Sequence, residues 1–320
     1  MGSAVNTENS DQTMRAVLVT SFGGPEKLEL QRVTIPVPRH NEVLVRVRAV
    51  GINPVDWKTR SGAGVARNIR ELPAVLGWDV AGTVERIGRN GSSLKHGDSV
   101  MGMVNFPYPG GGYAEFVTAP ISHVVKTPLN LSWCEAAALP LAGLTAWQAL
   151  FGTANIKADD RVLIHGVVGG VGHLAVQLAK WAGAYVIGSA SPQNHEFAYM
   201  LGCDEVFGYL GDDLWSTVGD IDAVVDTVGG ETRMKSLEVL NENGIVVTLQ
   251  TGSSDCGLDD PRVTKILVHP DSSQLERMVA LSESGVLRVE TRAFAELEQI
   301  EEAHRLSETG HGRGRIVVTI

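Results

Sequence analysis

Cysteine is scarce. The three residues, Cys134, Cys203 and Cys256, lie far apart, form no CxxC pair and are odd in number, so a disulfide framework is not expected. They suit a reducing compartment, and the cytoplasm is the expected setting. A basic excess is also missing: 27 Lys and Arg stand against 37 Asp and Glu, with no basic run, which argues against nucleic acid or an anionic membrane surface as a partner. Residues 1–13 have neither the apolar core of a secretory signal nor an arginine-rich amphipathic pattern; they read as a flexible tail, with the fold starting at Met14. One uncharged stretch, residues 136–156, is long enough to raise the question of a membrane span. Pro140, Gly143, Thr145, Gln148, Gly152 and Asn155 dilute it, and it reads as a buried inter-domain helix. No internal repeat or low-complexity tract is present.

What remains is a globular composition, 43% hydrophobic and 20% charged over 320 residues, enough for about two domains. Residues 14–135 read mostly as strand and turn. In "NEVLVRVRAVGINP", Val43, Val45, Val47 and Ala49 alternate with Leu44, Arg46 and Arg48, the period of two of a strand with unequal faces. Residues 136–265 change character: strands at "RVLIHG", "YVIGSA", "EVFGY", "DAVVDTV" and "GIVVTL" alternate with helices, which predicts a parallel sheet covered on both faces. Residues 266–320 return to the first domain. They hold two helical patterns, the second with Phe294, Leu297, Ile300, Ala303 and Leu306 in three-residue steps, and a closing strand "GRIVVTI".

Between the first two of those strands lies "GVVGGVG". Gly166, Gly169, Gly170 and Gly172 allow a tight turn and close approach of backbone to a pyrophosphate, and the helix opening near Val171 presents free N–H groups to that anion. A glycine-rich turn made for packing alone is the competing reading. At the end of the next strand an NAD site usually carries an acid for the ribose hydroxyls. Here "IGSASPQN" offers Ser189, Ser191 and Asn194 instead, which favours NADPH. No Lys or Arg lies between Lys180 and Arg233, so a 2′-phosphate must meet neutral donors or residues folded in from elsewhere.

Seven segments in order, "GINPVDWKTRSG", "LGWDVAGTVERIG", "GGGYAEF", "ALPLAGLTAWQAL", "GVVGGVGHLAVQLAKWAGA", "DAVVDTVGGET" and "GHGRGRIVV", resemble the zinc-independent medium-chain dehydrogenase/reductases, in their branch of quinone oxidoreductases and enone or alkenal reductases. The resemblance runs from Met14 to Ile320. It implies an α/β architecture, a GroES-like β-rich catalytic domain beside a Rossmann domain, with NADPH in the cleft between them and a homodimer as the assembly. Zinc-using relatives have a cysteine at the place of Asn53 and "GHE" at that of Gly77, Trp78 and Asp79, so no metal is expected. The reaction implied is hydride transfer to an α,β-unsaturated ketone or aldehyde, with a quinone as the alternative acceptor, or a protein that binds NADPH with little turnover.

The resemblance places Asn53, Asp56 and Lys58 at the nicotinamide end as catalytic candidates; a tyrosine in the place of Lys58 is frequent among quinone reductases. The bland alternatives are a turn at Asn53, a helix cap at Asp56 and a solvated Lys58. Thr145 is implied near the nicotinamide, or else satisfied within its helix. Tyr209 is implied near the adenosine phosphate, or merely packed. Asp226 and Thr227 are implied under the ribose, and Gly252 after the strand that ends at the nicotinamide. His165 and His173, which flank the glycine turn, are expected to satisfy local hydrogen bonds.

Overall fold

The computed structural model describes residues 12–88, 93–209, 213–250 and 256–320. The front half runs β1 (Thr13–Val19), β2 (Leu28–Thr34), β3 (Glu42–Ile52), α1 (Pro54–Arg60), β4 (Ala74–Val75), β5 (Asp79–Ile87), β6 (Ser99–Met103), β7 (Phe116–Pro120) and β8 (Val124–Lys126). The middle runs α2 (Trp133–Ala138), α3 (Pro140–Trp147), β9 (Arg161–His165), α4 (Gly172–Trp181), β10 (Tyr185–Ala190), α5 (His195–Leu201), β11 (Glu205–Gly208), α6 (Asp213–Thr217), β12 (Ile221–Asp226), α7 (Glu231–Glu238), β13 (Leu240–Thr248) and β14 (Val263–Lys265). The chain ends with α8 (Ser272–Glu283), β15 (Thr291–Ala295), α9 (Ile300–Glu308) and β16 (Arg315–Thr319).

Two principal sheets result. The first has order β15-β16-β3-β5-β6-β8, with β7 also on β3, so the last strand of the chain does return to the front half. In β3 Arg46 and Arg48 are exposed and Glu42 partly so, while the valines and Leu44 are buried on both sides. The second sheet has order β11-β10-β9-β12-β13-β14 and is parallel throughout. In chain order that is 3-2-1-4-5-6, the dinucleotide-binding topology, with its crevice between β9 and β12 where the order reverses. Val162, Leu163 and Ile164 of β9 are wholly buried, as a central parallel strand covered on both faces requires.

The uncharged stretch is buried from Ala136 to Leu150, but it is not one helix: α2 stops before Leu139, α3 opens at Pro140, and a π-helical turn, Gln148–Thr153, follows. Two expectations need correction. Thr13 pairs with Thr34 inside β1, so the fold starts one residue before Met14. Phe294 lies in strand β15, not in a helix; a turn at Leu297–Gln299 and then α9 take up the remaining three-residue steps, because β15 pairs with β16 through Phe294 and Val318. No helix among the described residues is long and apolar enough to cross a membrane.

Candidate active site and cofactor cleft

Each glycine of the turn after β9 has a distinct task. Gly166 sits at φ +64°, a left-handed conformation that favours glycine. A Cβ on Gly172 would come within 2.1 Å of the Gly166 carbonyl oxygen, so the start of α4 can approach β9 only without a side chain there. The Gly169 N–H closes the turn on the Gly166 carbonyl at 2.9 Å, and a Cβ on Gly170 would lie 3.0 Å from Arg315 Cδ. Val171 is the residue preceding α4. Among the described residues, the amides of Gly170, Val171 and Gly172 find no protein acceptor, and they stand at the N-terminal end of a ten-residue helix, which favours an anion. The turn therefore fits a pyrophosphate.

The two histidines hold this turn in place. His173 donates from Nδ1 to the Gly169 carbonyl (2.8 Å) and accepts the Glu290 N–H at Nε2 (3.3 Å). Ser236 Oγ donates to the Thr232 carbonyl, so His165 donates from Nε2 to that hydroxyl (2.9 Å), which leaves Nδ1 to accept from Ser189 (3.0 Å). Burial lowers both imidazoles to about 4 and keeps them neutral.

At the end of β10 the three expected phosphate donors separate. Ser189 is buried and its one proton is committed to His165, which takes it out of the set. Ser191 and Asn194 stay together: Asn194 Nδ2 donates to Ser191 Oγ at 2.8 Å, which leaves the Ser191 hydroxyl proton for a ligand. Tyr209 is 57% exposed, and the pairing of Ala190 with Gly208 sets it level with Ser191. A cation is folded in from the far end of the chain. Arg313 donates from Nε to Asn194 Oδ1 (2.6 Å) and from Nη2 to the Gln193 carbonyl (3.1 Å).

The other half of the crevice redistributes its residues too. Asp226 is fully buried and fully engaged. Its Oδ1 accepts the Val228 and Gly229 amides, and its Oδ2 accepts Arg233 Nε and the Thr248 hydroxyl, so it braces the loop and has nothing left for a ribose. Thr227 donates to the His165 carbonyl at 2.8 Å, which brings it against Gly166. Gly252 lies outside the described residues. Gln250, just past β13, anchors its Nε2 on the Thr227 carbonyl (2.6 Å) and accepts Lys58 Nζ at its Oε1 (3.1 Å). Lys58 thus spans from α1 to the carboxyl end of β13. It is half-buried, its pKa is lowered by that burial, and its ammonium lies 5.6 Å from the Trp57 ring centroid.

Below Lys58 is a buried polar knot. Asn53 precedes α1 and its N–H donates to Asp56 Oδ2 (2.7 Å), so the capping role of Asp56 is real, while among the described residues Asp56 Oδ1 meets no donor at full hydrogen-bonding geometry, the Tyr113 hydroxyl being the side-chain donor beside this carboxyl. Arg315 Nη2 donates to Asn53 Oδ1 (2.7 Å) and Asp79 Oδ2 (2.9 Å), and its Nε donates to the Ala138 carbonyl (3.0 Å). Asp79 also accepts Asn53 Nδ2 (2.9 Å) and the Leu141 N–H that opens α3 (2.7 Å). Burial pushes the carboxyl of Asp56 up to about 7 and that of Asp79 up to about 6, the latter against the pull of Arg315. Thr145 donates to the Leu141 carbonyl at 2.7 Å, the within-helix alternative. Trp78 and Phe106 are buried edge to face with centroids 5.5 Å apart.

Arg313, Arg315 and Gln250 carry the parts that motif reading passed over. The two arginines lie in the segment "GHGRGRIVV", but nothing local says that "GRGR" folds back onto Asn194, Asn53 and Asp79, 119 to 262 residues away. Among the described residues, no three His, Cys, Asp or Glu side chains group closely enough to hold a metal ion.

A 3-2-1-4-5-6 sheet with a glycine turn, joined to a β-rich domain that lends it its last strand, defines a two-domain nicotinamide-dependent oxidoreductase. Residues 39–129 match the family described as alcohol dehydrogenase GroES-like domain, and residues 201–318 that described as zinc-binding dehydrogenase. The chain is 36% identical to the chloroplast envelope quinone oxidoreductase homolog of Arabidopsis thaliana over 323 residues, 95% of this chain and 98% of that protein. The structure of the quinone oxidoreductase from Coxiella burnetii matches with a TM-score of 0.90 at 37% identity, covering 97% of this chain and 100% of the other. The CurK enoyl reductase structure matches with a TM-score of 0.87 at 27% identity, covering 96% and 99%. The chain belongs to the medium-chain dehydrogenase/reductase superfamily, in its quinone oxidoreductase branch, with a GroES-like and a Rossmann domain.

Proposed function

We propose that the protein is a cytoplasmic, zinc-independent reductase that uses NADPH to reduce the conjugated double bond of an α,β-unsaturated ketone or aldehyde, with quinones as the alternative acceptors. The observation that carries this reading is Lys58, a half-buried ammonium reaching across the cleft to the carboxyl end of β13. When bound, reduced nicotinamide supplies the hydride. Residues Gly166 to Gly172 would hold the pyrophosphate, and Lys58 would donate to the acceptor's oxygen as negative charge develops there.

Zinc independence is supported by charge. The place between Asn53 and Asp79 is taken by the Arg315 guanidinium, and a divalent ion there would meet a like charge instead of three converging ligands. Related proteins bear both quinone oxidoreductase and enoyl reductase names, and the lysine in place of the frequent tyrosine leans the reading to enones. The expected result is NADPH oxidation by a short enone, faster than by a naphthoquinone, unchanged by chelation and with a specificity constant well above that for NADH. No oxidation by either acceptor would leave only an NADPH-binding protein; equal use of NADH would end the cofactor assignment.

A homodimer is the proposed assembly. The strand after β13, β14, is the edge of the parallel sheet and offers an open edge for pairing. Sedimentation at micromolar concentration should give twice the 34.2 kDa of one chain. A mass near one chain would refute it.

A further inference from the structure

We propose that Arg313 selects the cofactor, gripping a 2′-phosphate on the adenosine ribose together with Ser191 and Asn194. The proposal rests on the NADPH reading above and names the residue that enforces it. In this topology the adenosine ribose belongs at the carboxyl end of the second strand, here β10. That end continues as Ser191, Pro192, Gln193 and Asn194, without a carboxylate.

Arg313 comes to this place held on one edge. Its Nε and Nη2 are bonded to Asn194 Oδ1 and the Gln193 carbonyl, and its guanidinium carbon stands 5.1 Å from the Phe197 ring centroid. A guanidinium has five N–H donors, and these bonds use two. The remaining three have no acceptor among the described residues, and no carboxylate there neutralises the charge. Beside it the Ser191 hydroxyl accepts from Asn194 and keeps its own proton. Three side chains therefore present donors together, one of them cationic, at a spot where an unphosphorylated ribose would offer no anion to meet them. A planar fork of this kind suits phosphate oxygens.

The mounting fixes the distance. Gly314 N–H donates to the Val168 carbonyl at 2.9 Å, inside the glycine turn, and Arg315 N–H donates to the Glu290 carbonyl at 2.9 Å. Arg313 is thereby tied to the same loop that faces the pyrophosphate. A surface arginine that only pinned the C-terminal segment to α5 would need neither the unspent donors nor the absence of an acid.

The test measures binding, apart from turnover. NADPH and NADH are titrated by nucleotide fluorescence, and adenosine 2′,5′-bisphosphate by calorimetry, against the parent, Arg313→Met and Arg313→Lys. For Arg313→Met, affinity for NADPH and for the bisphosphate should fall roughly tenfold to a hundredfold, with NADH changed less than twofold. Arg313→Lys should recover part of the loss. A Met variant that keeps the parent's preference for NADPH overturns the role of Arg313 and leaves the NADPH reading intact. Equal losses for NADPH and NADH also overturn it, since they would mark a structural staple. A parent that binds both cofactors equally overturns this inference and the NADPH reading together.

Discussion

Replacing Lys58 by Met is expected to slow hydride transfer in a single turnover by roughly 10² to 10³, the cost of one lost donor to a developing oxyanion. Affinity for NADPH should change only a few-fold, because the phosphates are held at the glycine turn and at β10, far along the cofactor from Lys58. Three features of the position argue for an effect of this size. The ammonium is carried on α1, which Asn53 and Asp56 cap rigidly from within the knot. It is already ordered by Gln250, itself fastened to the Thr227 carbonyl, so little freedom is lost when an acceptor arrives. One of its three N–H groups is used in that bond, which leaves donors for a carbonyl oxygen. Burial also lowers its pKa, so the proton is held less tightly than on a surface lysine and is better matched to the oxygen it meets. Stopped-flow transients from a folded Lys58→Met variant decide the matter. A rate within twofold of the parent would sink the assignment, and the donor role would pass to Asn53 or to an ordered water.

How much of this was legible depended on whether a feature is local. The glycine turn was, because strand, turn and helix follow one another and two of its glycines answer to a third a few residues away: Gly172 to Gly166, Gly169 to Gly166. The alternation of β3 was local in the same way, whereas the break at Pro140 was missed, residues 136–156 having read as a single helix. Hydrogen-bond direction was not. Ser189, Asp226 and Thr145 lie in the strands and helix the motifs assigned them to, yet each spends its polar atoms on protein, and only the partners His165, Arg233 and Leu141 reveal it. Topology was the larger gap. That Arg313 and Arg315 reach opposite ends of the cleft follows from β16 pairing with β3 beside the glycine turn, a register that no window of sequence contains. Phe294 was misplaced for a related reason: a three-residue apolar step is common to a helix and to a strand that runs into one.

Arg315→Met is expected to destabilise the folded protein by about 3 to 5 kcal/mol at pH 8, the cost of leaving one member of a buried ion pair behind. Asp79 has no exposure and Arg315 3% of its side chain, so solvent cannot replace the lost partner. The loss reaches further than one pair, because the guanidinium also satisfies Asn53 Oδ1 and the Ala138 carbonyl and so joins the start of α1, β5 and α2. The pH dependence separates a stranded charge from a simple cavity. Burial already raises Asp79 to about 6 with Arg315 present, from an ordinary 3.8, and removing the cation raises it further. A carboxyl whose folded pKa lies above its unfolded value takes up its proton first in the folded state, so the variant regains stability as pH falls through that value and loses it as pH rises. The deficit should therefore be greatest at pH 8 and shrink by pH 5.5. Adding Asp79→Asn should restore most of it at pH 8: with Arg315 gone the Asn53 amide can turn over, presenting Oδ1 to the new amide nitrogen, while Leu141 N–H keeps its acceptor. Urea unfolding of the parent, the single variant and the double variant at both pH values gives the answer. A deficit below about 1 kcal/mol, or one unchanged between the two pH values, would mean that Arg315 packs the interface without carrying its charge balance.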